Sequence, residues 1–439
     1  MEPSSKKGRY EDLLSFLPAH AVHKVKQILE NKKASHVSGA WKRKVKKVLE
    51  PSKDCYDQLQ VPGADGKQPV LFYSGNVAAI LSHVCSNSAF YLQRLRALQG
   101  VPRLSLLLSM DESTGGNVLA TSSSLKMTLY YFTLREVGDI QRPSAWFPLC
   151  AIPSRDVSDA LGGAGGITAA IVKHLVDQKL AAGVKVAEDL RLSMSLATYI
   201  GDYDSIRCIW SCKGSSALKP CVCCKNVLGK MSDVPSTDPY FLPLHSADVG
   251  SFDLIEDEEL FSCYDSNLAE ARDMSKEEKA ETERTFGFVL SAGTLLSYPE
   301  ARTMLPLSKL VLDAVHCYWA NGVAAQELLL LMDVLNSRFG ITLDQIQTSV
   351  GDVDWKSSKK DLSSASKRRH MFSAPMWKGD LYKGSATDTY YLVPLLLFYA
   401  SELLPAEGCP ELECFRALHE VPGRIFSQDF AWSCLNECC

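Results

Sequence analysis

The sequence has no long apolar run. Its most apolar stretches, 391–400 and 328–332, are far shorter than the ~20 residues a bilayer-spanning helix needs. No membrane-spanning helix and no membrane partner are therefore expected. No apolar h-region stands near Met1, so no secretory signal peptide is expected either. The glycine-rich stretch 161–166 lacks the Gly-Lys-Ser/Thr of a phosphate loop, so it is predicted to be a tight turn feeding a helix. Gly-x-Ser-x-Gly and internal repeats are also absent. A net charge of −4 does not by itself point to nucleic acid.

What is present is ordinary globular material. The chain has 439 residues, 46% hydrophobic and 22% charged. That length suggests two or three units, or one core with a large insertion. Fifteen cysteines, an odd number, without an export signal imply free thiols in a reducing compartment, with a subset available for metal. Charge is unevenly spread. Residues 1–53 hold 13 Lys/Arg and 5 Asp/Glu, a balance of +8 against −12 for the remainder. A basic arm on an acidic body follows. Within it Lys42, Arg43, Lys44, Lys46 and Lys47 form a patch suited to nuclear import or to phosphate. The bland alternative is a solvated helix face.

Periodicity predicts a basic helical region over 1–100, including a helix at 76–98. Strands are predicted at 103–110, 127–135 and 145–153, a helix at 167–182, and a strand at 190–200. The segment 101–207 thus has the order β-β-β-α-β. A Cys-containing, largely helical insertion covers 208–305, acidic over 250–284. A last core helix is placed in 306–340, running from 310 to 339. A loop at 352–369 and a helix at 387–404 complete a C-terminal region over 341–439.

In a β-β-β-α-β core the fourth strand lies parallel to the first, so Asp111 and Asp202, each closing one of those strands, are expected side by side. Two neighbouring carboxylates repel unless a cation joins them. Their hard oxygens suit Mg2+ or Mn2+. A metal pair about 3.5–4 Å apart activates an attacking oxygen and stabilises the leaving one in phosphodiester displacement. Glu327 is the expected third acid, against Asp313 and the acids at 256–259. It is bordered by Leu328–Leu331, and a carboxylate beside so much apolar surface is costly without compensation.

Cys221 and Cys224 have zinc-knuckle spacing. Two completions are open: Cys208 with Cys212, or Asp313 with His316, spaced i, i+3 on one helix face. On an unbroken helix His316 and Glu327, three turns apart, share a face. Gly322 lies between them.

With these residues in place the chain resembles transposase-like proteins related to CACTA (En/Spm-type) DNA transposons. The resemblance spans roughly 100–340. It is carried by Leu106-Leu107-Leu108-Ser109-Met110-Asp111-Glu112 followed by Gly116-Asn117, by Ala145-Trp146-Phe147, and by Gly201-Asp202. Ile209-Trp210, Lys213-Gly214 and Lys219-Pro220-Cys221-x2-Cys224 follow, then Asp313-x2-His316 and Glu327. It implies an RNase H-like α/β fold, divalent metal, and DNA cleavage with strand transfer at element ends. DNA is the implied partner and the nucleus the implied location; homo-oligomerisation is left open. Two other readings stand beside it: a catalytically inert domesticated or truncated copy that binds nucleic acid, and a zinc-stabilised scaffold.

Overall fold

In a computed structural model, residues 54–114, 126–138, 145–229, 240–243, 249–319, 322–352, 364–377, 382–404 and 409–425 are described. They fall into two compact units, one ending at Val311 and the other beginning at Leu312. The basic residues Lys42, Arg43, Lys44, Lys46 and Lys47 lie outside the described residues, as do Gly116 and Asn117.

The first unit is α/β, built on a seven-stranded mixed sheet. Two strands that the sequence pattern does not signal open it, β1 (Tyr56–Val61) and β2 (Val70–Gly75), paired antiparallel. The helix expected over 76–98 forms as two, α1 (Val77–Asn87) and α2 (Ala89–Ala97). Ser88 divides them. Its backbone is extended, and its hydroxyl accepts the Tyr91 N–H at 3.2 Å as an N-cap.

An antiparallel meander follows: β3 (Leu104–Thr114), β4 (Lys126–Leu134) and β5 (Phe147–Pro153). The chain crosses back through α3 (Ser154–Asp159) and α4 (Gly163–Asp177). The strand expected at 190–200 divides at Ser193. β6 (Val184–Ala187) and β7 (Leu190–Leu192) make a separate hairpin, and β8 (Met194–Gly201) joins the main sheet parallel to β3. A parallel neighbour requires such a crossover. β3 is the central strand of the meander and its parallel partner. Leu104, Leu106, Leu107 and Leu108 are all buried, which is why the strand is apolar without alternation.

The glycine-rich stretch forms the turn into α4. Gly162 sits at φ +74°, and a Cβ there would lie 2.0 Å from the carbonyl oxygen of Gly293. Its glycine serves close backbone packing, with Gly293 covering the turn.

After β8 come α5 (Tyr203–Ile209), a short parallel pair β9 (Val227–Leu228) and β10 (Leu242–Pro243), then α6 (Asp257–Glu270), α7 (Lys276–Phe286) and α8 (Pro299–Met304). Asp257, Glu258 and Glu259 occupy the first turn of α6, where the helix dipole favours acids. β11 (Leu310–Leu312) adds the last strand, giving the order β1-β2-β5-β4-β3-β8-β11.

The second unit is helical: α9 (Ala314–Tyr318), α10 (Val323–Phe339), α11 (Leu343–Asp352), α12 (Ala365–Met371), α13 (Ala386–Leu403) and α14 (Pro410–Ile425). Its own core holds Leu328, Leu331, Leu335, Phe372, Leu392, Leu396 and Phe415. Two expectations are corrected here. The single helix over 310–339 is a strand and two helices. Gly322 caps α10 in extended backbone, and a Cβ there would lie 1.9 Å from the Cys317 carbonyl oxygen. The argument that His316 and Glu327 share one helical face therefore lapses. The loop expected over 352–369 contains α12, started by Ser364, whose hydroxyl accepts the Lys367 N–H.

Candidate active site and thiol cluster

β3 does not end at Asp111 but runs on to Thr114. Its register with β8 pairs Ser109 with Ile200. Two residues further along each chain, Asp111 and Asp202 stand at the same level of neighbouring strands, which lie about 5 Å apart. Alternation puts Asp111 on the face of Ser109, with Tyr131 opposite Ser109 on β4. Burial first, and then the charge of Asp111, push the Tyr131 phenol up to about 12. Asp202 directly follows β8 with φ −71° and ψ 168°, and it is the N-cap of α5. Its Oδ1 accepts the Ser205 N–H at 2.6 Å, and the Ser205 hydroxyl donates to the Asp202 carbonyl at 2.9 Å. Ser205 is a site residue that the sequence reading passes over; the Asp-x2-Ser pattern at a strand end is its signal.

Glu112 alternates to the other face. It pairs with Lys126 at 2.9 Å. The hydrogen bond from Lys126 outweighs burial and holds the carboxyl below its ordinary range. Glu112 is thus tied to β4.

Asp313, His316 and Glu327 belong to the second unit. Asp313 caps α9: its Oδ1 accepts the Val315 N–H at 2.9 Å and its Oδ2 lies 2.5 Å from His316 Nδ1. Burial pushes the Asp313 carboxyl up, but these bonds prevail and hold it low. Glu327, on α10, takes a hydrogen bond from the Cys414 thiol of α14, whose pKa is raised by burial and then by the Glu327 charge. Burial and the same charge push the Tyr318 phenol up to about 12.

The cysteine loop is in the first unit. The Tyr203 hydroxyl donates to the Pro220 carbonyl at its start. Ile255 N–H donates to Cys223 O and Lys225 N–H to Asp253 O, each at 2.9 Å. Inside this frame the Cys221 sulfur accepts hydrogen bonds from the thiols of Cys223 and Cys224 and from both backbone N–H groups. These bonds overcome burial and draw the Cys221 thiol well below its ordinary range. Cys223 moves up for the converse reason, the bond to Cys221 coming first and burial second. Burial, then the Cys221 charge, pushes Cys224 up. Cys212 is buried and raised by desolvation; Cys208 is exposed. The sequence reading passed over Cys223, although it is adjacent to Cys224.

Among the described residues, no three of His, Cys, Asp and Glu are grouped so as to hold a metal ion. The thiol loop as it stands does not fit tetrahedral zinc, since two of its three sulfurs remain protonated donors to the third. Asp111 and Asp202 do fit a hard divalent cation in donor type and register. Among the described residues, no helix is long and apolar enough to cross a membrane. The chain matches no protein-family profile and no curated protein sequence.

Proposed function

We propose that this chain is a transposase-derived protein whose RNase H-like core performs metal-dependent phosphodiester cleavage and strand transfer on DNA in the nucleus. The observation that carries the reading is the common level of Asp111 and Asp202 on the parallel pair β3/β8. Sheet order supports it. Among the five strands β3, β4, β5, β8 and β11, the first three form a meander and the fourth lies parallel to the first. An RNase H-like core has that arrangement.

Asp111 and Asp202 would hold Mg2+ or Mn2+, which, when bound, lowers the pKa of a water or hydroxyl and offsets charge on the leaving oxygen. The protein's own part is orientation. The Ser205 N–H fixes one oxygen of Asp202 before any metal arrives. Glu327 is proposed as the third carboxylate, with Asp313 as its rival. The residues Lys42, Arg43, Lys44, Lys46 and Lys47 would contact DNA phosphates. Zinc enters only as a structural ion at Cys221 and Cys224 with Asp313 and His316 or with Cys208 and Cys212, and no step depends on it.

A second reading has a specific observation behind it. Asp202 is already satisfied as a helix cap, and Glu327 by Cys414. An inert, domesticated copy would keep both contacts for stability alone.

A Mn2+-dependent nicking assay on supercoiled DNA decides between the two. The proposed reading expects wild type to nick, and both Asp111→Asn and Asp202→Asn to lose activity at least a hundredfold. Glu327→Gln should lose it as well; if Asp313→Asn loses it instead, those two residues exchange roles. DNA binding without nicking by wild type selects the inert copy. Deleting residues 1–53 should weaken DNA binding and flatten its dependence on salt, because fewer counterions are released. An unchanged salt slope removes the arm from the interface.

A further inference from the structure

The loop that does not fit zinc has a geometry of its own. Its three sulfurs are neighbours, and all three residues are free and partly exposed. Both flanks of the loop are held by backbone hydrogen bonds to residues 253 and 255, and its first carbonyl by the Tyr203 hydroxyl. Cys224 also forms an isolated bridge with Leu254. The sulfurs are thus kept together by the fold. The Cys221 sulfur is the common acceptor, facing two backbone N–H groups and two thiols. Elsewhere the described cysteines Cys55, Cys85, Cys150 and Cys409 are buried in hydrophobic cores, where a thiol is inert packing.

We propose that Cys221 and Cys224 form a peroxide-oxidisable dithiol, Cys221 being the attacking sulfur and Cys224 the resolving one. In the first step the Cys221 thiolate attacks one oxygen of a hydroperoxide. An S–O bond forms, the O–O bond breaks, and the other oxygen leaves as an alcohol (water, for hydrogen peroxide) after taking a proton. Cys221 is now a sulfenic acid. In the second step the Cys224 sulfur attacks that of Cys221. The S–S bond forms, the S–O bond breaks, and hydroxide leaves as water with the proton from the Cys224 thiol. Two thiols are oxidised and one peroxide is reduced. Hydrogen bonds at Cys221 favour the attacking thiolate, and the Cys-x2-Cys spacing suits ring closure. Cys223 adjoins Cys224 and serves as a donor.

The test uses the full-length protein, purified with a chelator and treated with one equivalent of hydrogen peroxide. Remaining thiols are then alkylated, and the peptide spanning 214–225 is examined by mass spectrometry without reduction. That peptide holds only Cys221, Cys223 and Cys224. The expected product lacks two hydrogens, carries one alkyl group on Cys223, and returns to three free thiols with a reductant. Cys224→Ser should leave a Cys221 sulfenic acid that a dimedone probe traps. Cys221→Ser should slow peroxide consumption at least tenfold, with circular dichroism confirming the fold. The proposal is overturned if Cys221 oxidises no faster than the exposed Cys208 and Cys263. A Cys221–Cys223 disulfide in wild type overturns the assignment of Cys224. Stoichiometric zinc that survives the chelator and blocks oxidation overturns the whole proposal in favour of a metal site.

Discussion

Replacing Asp202 separates its two roles. As the N-cap of α5 it accepts the Ser205 N–H at 2.6 Å. Losing such a cap to alanine costs about 1 kcal/mol, within a range of roughly 0.5–2. α5 has only seven residues, and it buries Ser205, Ile206 and Ile209. It depends on its ends more than a long helix does. Asp202→Ala should therefore destabilise the protein by about 1–2 kcal/mol. Asp202→Asn keeps an oxygen in the same place, and asparagine caps as well as aspartate. It forfeits the attraction of a charge to the helix N-terminus, about 0.3–1 kcal/mol. It also relieves repulsion from Asp111 at the same level of β3. These two terms oppose each other, so the net change should stay within about 0.5 kcal/mol of zero. Metal reveals the second role. At a concentration of Mn2+ a hundred times its Kd, wild type should gain about 2.7 kcal/mol by mass action, and Asp202→Asn should gain almost nothing. Urea denaturation with and without Mn2+ measures all four quantities. If Asp202→Asn is as unstable as Asp202→Ala, the capping argument is wrong. If the Mn2+ gain persists in Asp202→Asn, the carboxylate pair is not where the ion binds.

Three further outcomes follow from the packing. Tyr130 is fully buried, and its hydroxyl lies 2.9 Å from that of Thr168, joining the sheet to α4; Tyr130→Phe should cost about 1 kcal/mol in urea unfolding, and no cost would mean the bond is not formed. Gly162→Ala puts a Cβ 2.0 Å from Gly293 O at φ +74°; it should lower stability by more than about 2 kcal/mol, and a neutral result would show that the turn is not closed by Gly293. His174 is held below the ordinary imidazole pKa by burial, against the opposing pull of Asp57 and Asp177. The unfolded chain therefore binds the proton first. Stability should be full above about pH 6.5 and fall as pH drops through the unfolded and then the folded pKa. His174→Gln should flatten that slope, and a wild type that gains stability on acidification would refute the sign.

The sequence alone was enough for those features whose cause is local. The leucines of β3 announced a buried strand because both its faces are covered. The order of three strands, a helix and a fourth strand was legible because each segment has its own periodicity, and with it the pairing of Asp111 and Asp202. The glycines at 162–166 signalled a turn because positive φ is a property of the residue. What lay beyond reach depended on partners distant in the chain. β1 and β2 carry a mixed pattern, and pairing with β5 makes them strands. The break between α9 and α10 was visible as Gly322, but only its contact with the Cys317 carbonyl made a continuous helix impossible. Cys223 looked idle beside a Cys-x2-Cys pair until the loop folded and brought three sulfurs together. Local propensity is written residue by residue. Register, close approach and the sharing of a proton between side chains arise only when separate segments meet, and there the tertiary structure decided.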